Sequence, residues 1–274
     1  MLRAYVTRKK IILDNMFSFL KKTKPDNDNA PSYLMPEGEI VYAIGDVHGC
    51  YEPMLNLLRK IENDRRARPE PKSTIVFLGD LIDRGPASKD VLDFLINFRP
   101  NWSDIRFIRG NHEEVMLDVL RGDISALRSW FSFGGKECAR SYGVDNFGQL
   151  EINPDHIMMS LQRRVPEAHL TFMDNFSDAF AFGDYFLVHA GIKPRVAIKD
   201  QSSHDLRWIR ASFLNYKKPH PVKVVHGHSV VDDEPENHSN RIAIDTGAHK
   251  GRALTAVCLC AGEETFIQSD IFDT

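Results

Sequence analysis

At 274 residues the chain is long enough for one large domain or two small ones. Its 42% hydrophobic, 10% aromatic and 27% charged residues are those of a globular protein, and the net charge of −3 gives no electrostatic case for nucleic acid or a membrane surface. No apolar run approaches the roughly 18 residues of a membrane span.

Residues 1–38 mix charge with Asn and Pro and lack a sustained apolar period, which predicts a flexible extension ahead of a single domain over 39–274. The opening MLRAYVTRKKIILDN reads as a basic amphipathic or targeting segment, although a short apolar part without a small-residue cleavage site counts against secretion. Translation from Met16 is the other reading. Four cysteines, Cys50, Cys138, Cys258 and Cys260, form no CxxC pair and predict reduced thiols in a cytoplasmic protein. Cys258 and Cys260 share one face of a strand and are expected in the core.

From residue 39 strands and helices alternate. Apolar strand-like runs fall at 40–44, 74–78, 105–108, 185–188, 222–225, 241–244 and 254–260. One helix is expected with Pro53 in its first turn and Met54, Leu57, Leu58 and Ile61 inward. A second is expected from Ser88 as N-cap through Val91, Leu92, Leu95 and Ile96. Residues 66–73 read as a loop and 120–180 as mainly helical, with Trp130, Phe131 and Phe133 packing a helix or walling a substrate. Strand–helix–strand alternation predicts parallel strands joined by right-handed crossovers.

The first three strands each end in a polar, glycine-marked turn: GDVHG at 45–49, GDLIDRG at 79–85 and GNHEE at 110–114. Asp46 and Asp80 are 34 residues apart, and Asp80 and Asn111 are 31 apart, the length of one βαβ unit. Parallel neighbours would bring Asp46, His48, Asp80, Asn111 and His112 to one sheet edge, at the carboxyl ends where open α/β sheets bind ligands. LVHAG adds His189, and VVHGHS adds His226 and His228. Asp, His and Asn are oxygen and nitrogen donors for divalent transition metals. Six such ligands suit two ions sharing Asp80, the central carboxylate, and such a pair hydrolyses phosphate esters.

These blocks resemble the signature GDxHG…GDxxDRG…GNHE of the phosphoprotein phosphatase family of calcineurin-like metallophosphoesterases. The likeness runs through VHAG and HGHS to IDTGAHKGRALTAV, so it covers about residues 39–262, and it is to the bacterial branch that includes the lambda phage phosphatase and the diadenosine tetraphosphatases. The resemblance implies an α/β metallophosphoesterase fold, a β-sandwich of two mixed sheets flanked by helices. It implies that Asp46 and His48 hold one ion, that Asp80 bridges, and that Asn111, His189 and His228 hold the other. The two divalent ions would be manganese, with iron or zinc compatible.

It further implies that His112 protonates the leaving oxygen while Asp83 orients its imidazole, and that Arg84 and Arg210 bind the phosphate, with Arg207 the fallback. His226 is expected to pack and His249 to sit at the rim. HGHS stands where relatives carry GHT, and the acidic run 232–241 is expected to shape substrate access. The implied function is hydrolysis of phosphoserine or phosphothreonine in proteins by a metal-bound hydroxide. Symmetrical cleavage of diadenosine tetraphosphate is the alternative. A non-catalytic scaffold is a third reading, which the complete ligand set disfavours.

Overall fold

The computed structural model describes residues 33–69, 72–145, 147–149 and 153–272. Residues 1–32 of the expected extension, with the opening segment and Met16, lie outside the described residues. Strands β1 (Glu39–Ile44), β2 (Lys72–Phe77) and β3 (Asp104–Phe107) pair in parallel, while β9 (Thr255–Cys260) and β10 (Glu263–Gln268) add antiparallel partners. The order is β10-β9-β1-β2-β3. A second sheet combines β4 (Ala179–Phe182), β5 (Tyr185–Val188), β6 (Lys223–His226), β7 (Glu236–Asn237) and β8 (Arg241–Ala243), in the order β4-β5-β6-β8-β7. Here β5, β6 and β8 are parallel, and β4 and β7 are antiparallel edges.

The period of two along each strand divides the interior. Ile40, Tyr42, Ile44, Ile75, Phe77, Cys258 and Cys260 face a helical layer and pack with Met54, Leu57, Leu92 and Trp130. The alternate residues Val41, Ala43, Val76, Leu78, Val257 and Leu259 meet Tyr185, Leu187, Val225 and Ile242 of the other sheet. The outer face of that sheet (Phe186, Val188, Val224) is covered by Leu206, Ile209 and Phe213. Both sheets are thus buried on both faces, which is why their inner strands read as unbroken apolar runs.

The helical layer holds α1 (Tyr51–Arg66), α2 (Ser88–Asn97), α3 (Asn111–Leu120), α4 (Ile124–Ser132), α5 (Gly135–Ser141), α6 (Pro154–Arg164) and α7 (Glu167–Asp174). Short helices α8 (Ser203–Trp208) and α9 (Ala211–Leu214) belong to the other side. As expected, α1 buries Pro53, Met54, Leu57, Leu58 and Ile61.

Three features depart from expectation. Ala87, not Ser88, occupies the N-cap of α2; Ser88 is already helical, and its hydroxyl accepts the Asp83 N–H (2.9 Å). Edge strands β7 and β10 carry no sustained apolar run, and β10 keeps its Glu, Thr and Gln side chains partly exposed, whereas the edge strand β4 is a four-residue Ala-Phe-Ala-Phe run at the end of the stretch expected to be helical. Residues 33–38 are held against the β4–β5 turn: Leu34 donates its N–H to the Asp184 carboxylate (3.0 Å) and accepts the Asp184 N–H (3.0 Å), and Met35 is buried.

Candidate active site

The carboxyl ends of β1, β2 and β3, with those of β5 and β6, meet at one rim. Each continues into a turn whose backbone is forced by its role. Among the described residues, seven non-glycine residues have positive φ, and five of them, His48 (47°), Asp80 (50°), Asp83 (73°), Arg84 (64°) and His228 (63°), are predicted site residues. Left-handed backbone at such residues persists only where surrounding contacts impose it, and it gathers at functional sites.

Six expected ligands are buried and converge. Asp80 Oδ2 lies 3.7 Å from His48 Nε2 and 3.4 Å from His189 Nε2. His48 Nε2 is also 3.8 Å from Asp46 Oδ2. His189 Nε2 is 3.0 Å from Asn111 Oδ1 and 3.2 Å from His228 Nδ1. Donor atoms of Asp80, His189 and His228 all fall within 4.8 Å of one another, as do those of His48, Asp80 and His112. Gly227 makes the crossing possible, because a Cβ there would lie 2.0 Å from Asp46 Oδ1. The His228 N–H instead donates to the Asp46 carboxylate (3.1 and 3.2 Å).

The chemistry of this donor set fits two cations. His48 donates Nδ1–H to the Ile82 carbonyl (2.8 Å) and His189 donates Nδ1–H to the Leu78 carbonyl (3.0 Å). Since a carbonyl only accepts, each Nδ1 carries the proton and each Nε2 faces inward, as in metal-binding histidines. His189 Nε2 then faces Asn111 Oδ1 at 3.0 Å and Asp80 Oδ2 at 3.4 Å, with His228 Nδ1 3.2 Å from it. Burial pushes the Asp46 carboxyl well above its ordinary pKa, and the charges of Asp245 and Asp80 add to it. Burial and the neighbouring His189 lower His228 to about 2. Crowded carboxylates and unprotonated imidazoles become compatible when positive charge sits among them.

His112 stands beside this set, its Nε2 3.7 Å from Asp80 Oδ2. Its Nδ1 donates to Asp83 Oδ2 (2.6 Å). Burial disfavours charge on the ring, but Asp80 and the Asp83 hydrogen bond outweigh it and raise the pKa above the ordinary value. Arg84 donates from Nη1 to His48 Nε2 (2.9 Å) and brings Nη2 to 3.2 Å from His112 Nε2. Arg210 is exposed at the N-cap of α9, close enough to depress the pKa of His228. Arg207 is instead buried and engaged, donating Nε to Asp178 (3.1 Å), with Nη1 3.3 Å from Glu114.

His226 is enclosed, its ring edge-on to Phe213 at 5.0 Å, and burial lowers it to about 3. His249 lies half-buried at the rim with its ring 5.0 Å from that of His48. The acidic run folds into β7, where Glu236 holds Arg241 (3.0 Å) and His238 (2.7 Å).

Three buried residues escape sequence reasoning. Trp130 donates Nε1–H to Asp83 Oδ2 (2.8 Å), although its apolar neighbours suggest packing alone. Asp245 sits beside Asp46, its Oδ1 accepting the Gly247 N–H (3.1 Å). Glu113 accepts backbone N–H groups from Asp80 (2.9 Å), Leu81 (2.7 Å) and Gly110 (2.9 Å), tying the second turn to the third. The Glu at the third position of α3 is the one available signal, a residue that reaches back to the N-cap amide. Glu113→Gln turns a donor toward those amides and should destabilise the fold by about 1.5–3 kcal/mol. Denaturant titration measures this, and an unchanged midpoint would show the carboxylate to be dispensable.

The calcineurin-like phosphoesterase profile matches residues 40–254. The chain is similar to a symmetrical bis(5'-nucleosyl)-tetraphosphatase from Cellvibrio japonicus, 43% identical over 153 residues, 56% of this chain and 45% of that protein. It is similar to serine/threonine-protein phosphatase 1 of Salmonella typhimurium, 37% identical over 95 residues, 35% of this chain and 38% of that protein. Both matches span less than half the length of the relative. Among solved structures, a provisionally named diadenosine tetraphosphatase shares the fold at TM-score 0.58 and 19% identity, over 86% of this chain and 96% of that one. With signature turns, converging donors and a profile match across most of its length, the chain belongs to the calcineurin-like phosphoesterase family.

Proposed function

We propose that the chain is a phosphomonoesterase of the phosphoprotein phosphatase branch that acts on phosphoserine or phosphothreonine in proteins. The observation that carries it is the meeting of acceptor atoms around Asp80 beside a carboxylate-oriented imidazole. In this reading Asp46, His48 and Asp80 hold one divalent ion, and Asp80, Asn111, His189 and His228 hold a second. Manganese suits the donors, as do iron and zinc. When bound, such a pair polarises a phosphoryl group and lowers the pKa of water toward neutrality. Arg84 grips the phosphate through its fork, and Arg210 closes on it from α9. His112 holds a proton at Nε2 for the departing oxygen while Asp83 fixes the ring.

That last arrangement favours an alkyl ester. A serine alkoxide leaves poorly without a proton, whereas a nucleoside diphosphate leaves readily. The reading includes a cytoplasmic location, consistent with four free, buried cysteines. The second reading, symmetrical cleavage of a dinucleoside tetraphosphate, is supported by the Cellvibrio relative. Incubating the manganese-supplemented protein with a phosphoserine peptide and with diadenosine tetraphosphate separates them. The first reading expects inorganic phosphate from the peptide. Rapid release of ADP with negligible peptide turnover would replace it with the second.

A further inference from the structure

The segment Trp130–Gly135, which crosses from α4 to α5, touches the two residues assigned above to proton donation and phosphate binding. Trp130 is fully buried, and its Nε1–H reaches Asp83 Oδ2 at 2.8 Å, the same oxygen that accepts His112 Nδ1–H at 2.6 Å. The Phe133 ring stands edge-on to the His112 ring, centroids 5.0 Å apart and planes at 89°. The Phe133 carbonyl accepts Arg84 Nε–H (3.4 Å), and the Gly134 carbonyl accepts the Arg84 backbone N–H (3.0 Å).

Both glycines are demanded by this fit. A Cβ on Gly134 would stand 2.5 Å from Arg84 Cγ, and one on Gly135 would stand 2.4 Å from the Trp130 ring. No other contact made by the Trp130 indole N–H is needed to fold a helix. An apolar ring of like size would fill the space, so the polar atom answers to Asp83.

We propose that Trp130 is a positioning residue for the general acid, its N–H fixing the Asp83 carboxylate in the one orientation that aims His112 Nε2 at the leaving oxygen. The Phe133–Gly134 backbone sets Arg84 in register with it. The segment therefore orders donor and phosphate grip as one unit. Two donors on one carboxylate oxygen leave it little freedom to rotate, and a carboxylate that cannot rotate holds its imidazole in plane. Phe at position 130 keeps an aromatic ring there, loses the donor and leaves a small cavity, for which a control is needed.

The inference rests on His112 acting as the acid, and the test separates the two claims. Hydrolysis of a phosphoserine peptide needs a proton on the leaving group, whereas para-nitrophenyl phosphate, with a stabilised leaving group, needs it far less. Trp130→Phe is expected to lose roughly tenfold more rate on the peptide than on the nitrophenyl ester, the scale of one hydrogen bond to a charged group. Manganese content is expected to stay near that of the parent protein, while the melting temperature falls as it does for other buried large-to-small changes. Leu127→Ala, a cavity in the same helix, is expected to affect both substrates alike. Gly135→Ala presses its Cβ to within 2.4 Å of the same ring and should reproduce the selective loss, which keeps the claim testable if Trp130→Phe does not fold.

His112→Asn is measured in parallel. If it discriminates between the substrates and neither Trp130→Phe nor Gly135→Ala does, the positioning role is refuted and the acid stands. If His112→Asn slows both equally, the assignment of the acid falls and the positioning role falls with it.

Discussion

Asp80→Asn is expected to abolish turnover and to leave the protein with less metal than one equivalent per chain. Asp80 is the residue on which both halves of the site converge: Oδ2 faces His48, His189 and His112 at 3.4–3.7 Å, and Oδ1 accepts the His112 N–H at 3.1 Å. Burial opposes its charge, but His189, His112 and His48 outweigh burial and hold the carboxyl well below its ordinary pKa. Asn preserves shape and tolerates the left-handed backbone at this position (φ 50°), so the substitution removes charge while sparing the turn. Elemental analysis after gel filtration, with phosphate release measured on the same sample, tests this. A variant with parental metal content and rate would show that Asp80 is not the shared ligand.

His112→Asn is expected to keep its metal and to slow turnover by roughly 10²–10⁴-fold, the range for a lost general acid. The two readouts belong together because His112 Nε2 also lies within metal reach of His48 and Asp80. Its far nitrogen is taken by Asp83 at 2.6 Å, a partner that suits either a ligand or an acid. Metal content decides between them. Loss of an ion with the imidazole would make His112 a ligand, and a parental rate would place the acid elsewhere.

The converging set of donor side chains is legible in the sequence because its physics is local. A strand buried on both faces must be apolar to its end, so an Asp, Asn or His at that end, followed by glycine, stands out against it. Five such ends in one chain specify where the turns gather once the strands are known to be parallel. The preference for Arg210 over Arg207 came from the resemblance, and the structure places Arg210 near His228 while tying Arg207 to Asp178 and Glu114.

What stayed hidden depends on partners far away in the chain. Glu113 serves amides 32 and 33 residues upstream, and Trp130 donates to a carboxylate 47 residues away. Neither distance has a sequence period. The sequence reads Trp130 as packing a helix or walling a substrate, and its ring does pack; only its nitrogen carries the second role. Ser88 likewise resembles a helix cap until Asp83 is seen to hold its hydroxyl. The edge strand β10 escapes because an edge is half wet and its mixed polar and apolar residues resemble a loop. Strand β4 escapes because four apolar residues closing a helical stretch are too short to show a strand period.

Anomalous diffraction from crystals of the full chain grown with manganese tests the dinuclear centre most directly. The expected result is two peaks about 3.5–4 Å apart, both in contact with Asp80, with Asp46 and His48 on one and Asn111, His189 and His228 on the other. A single peak, or peaks away from Asp80, would contradict it.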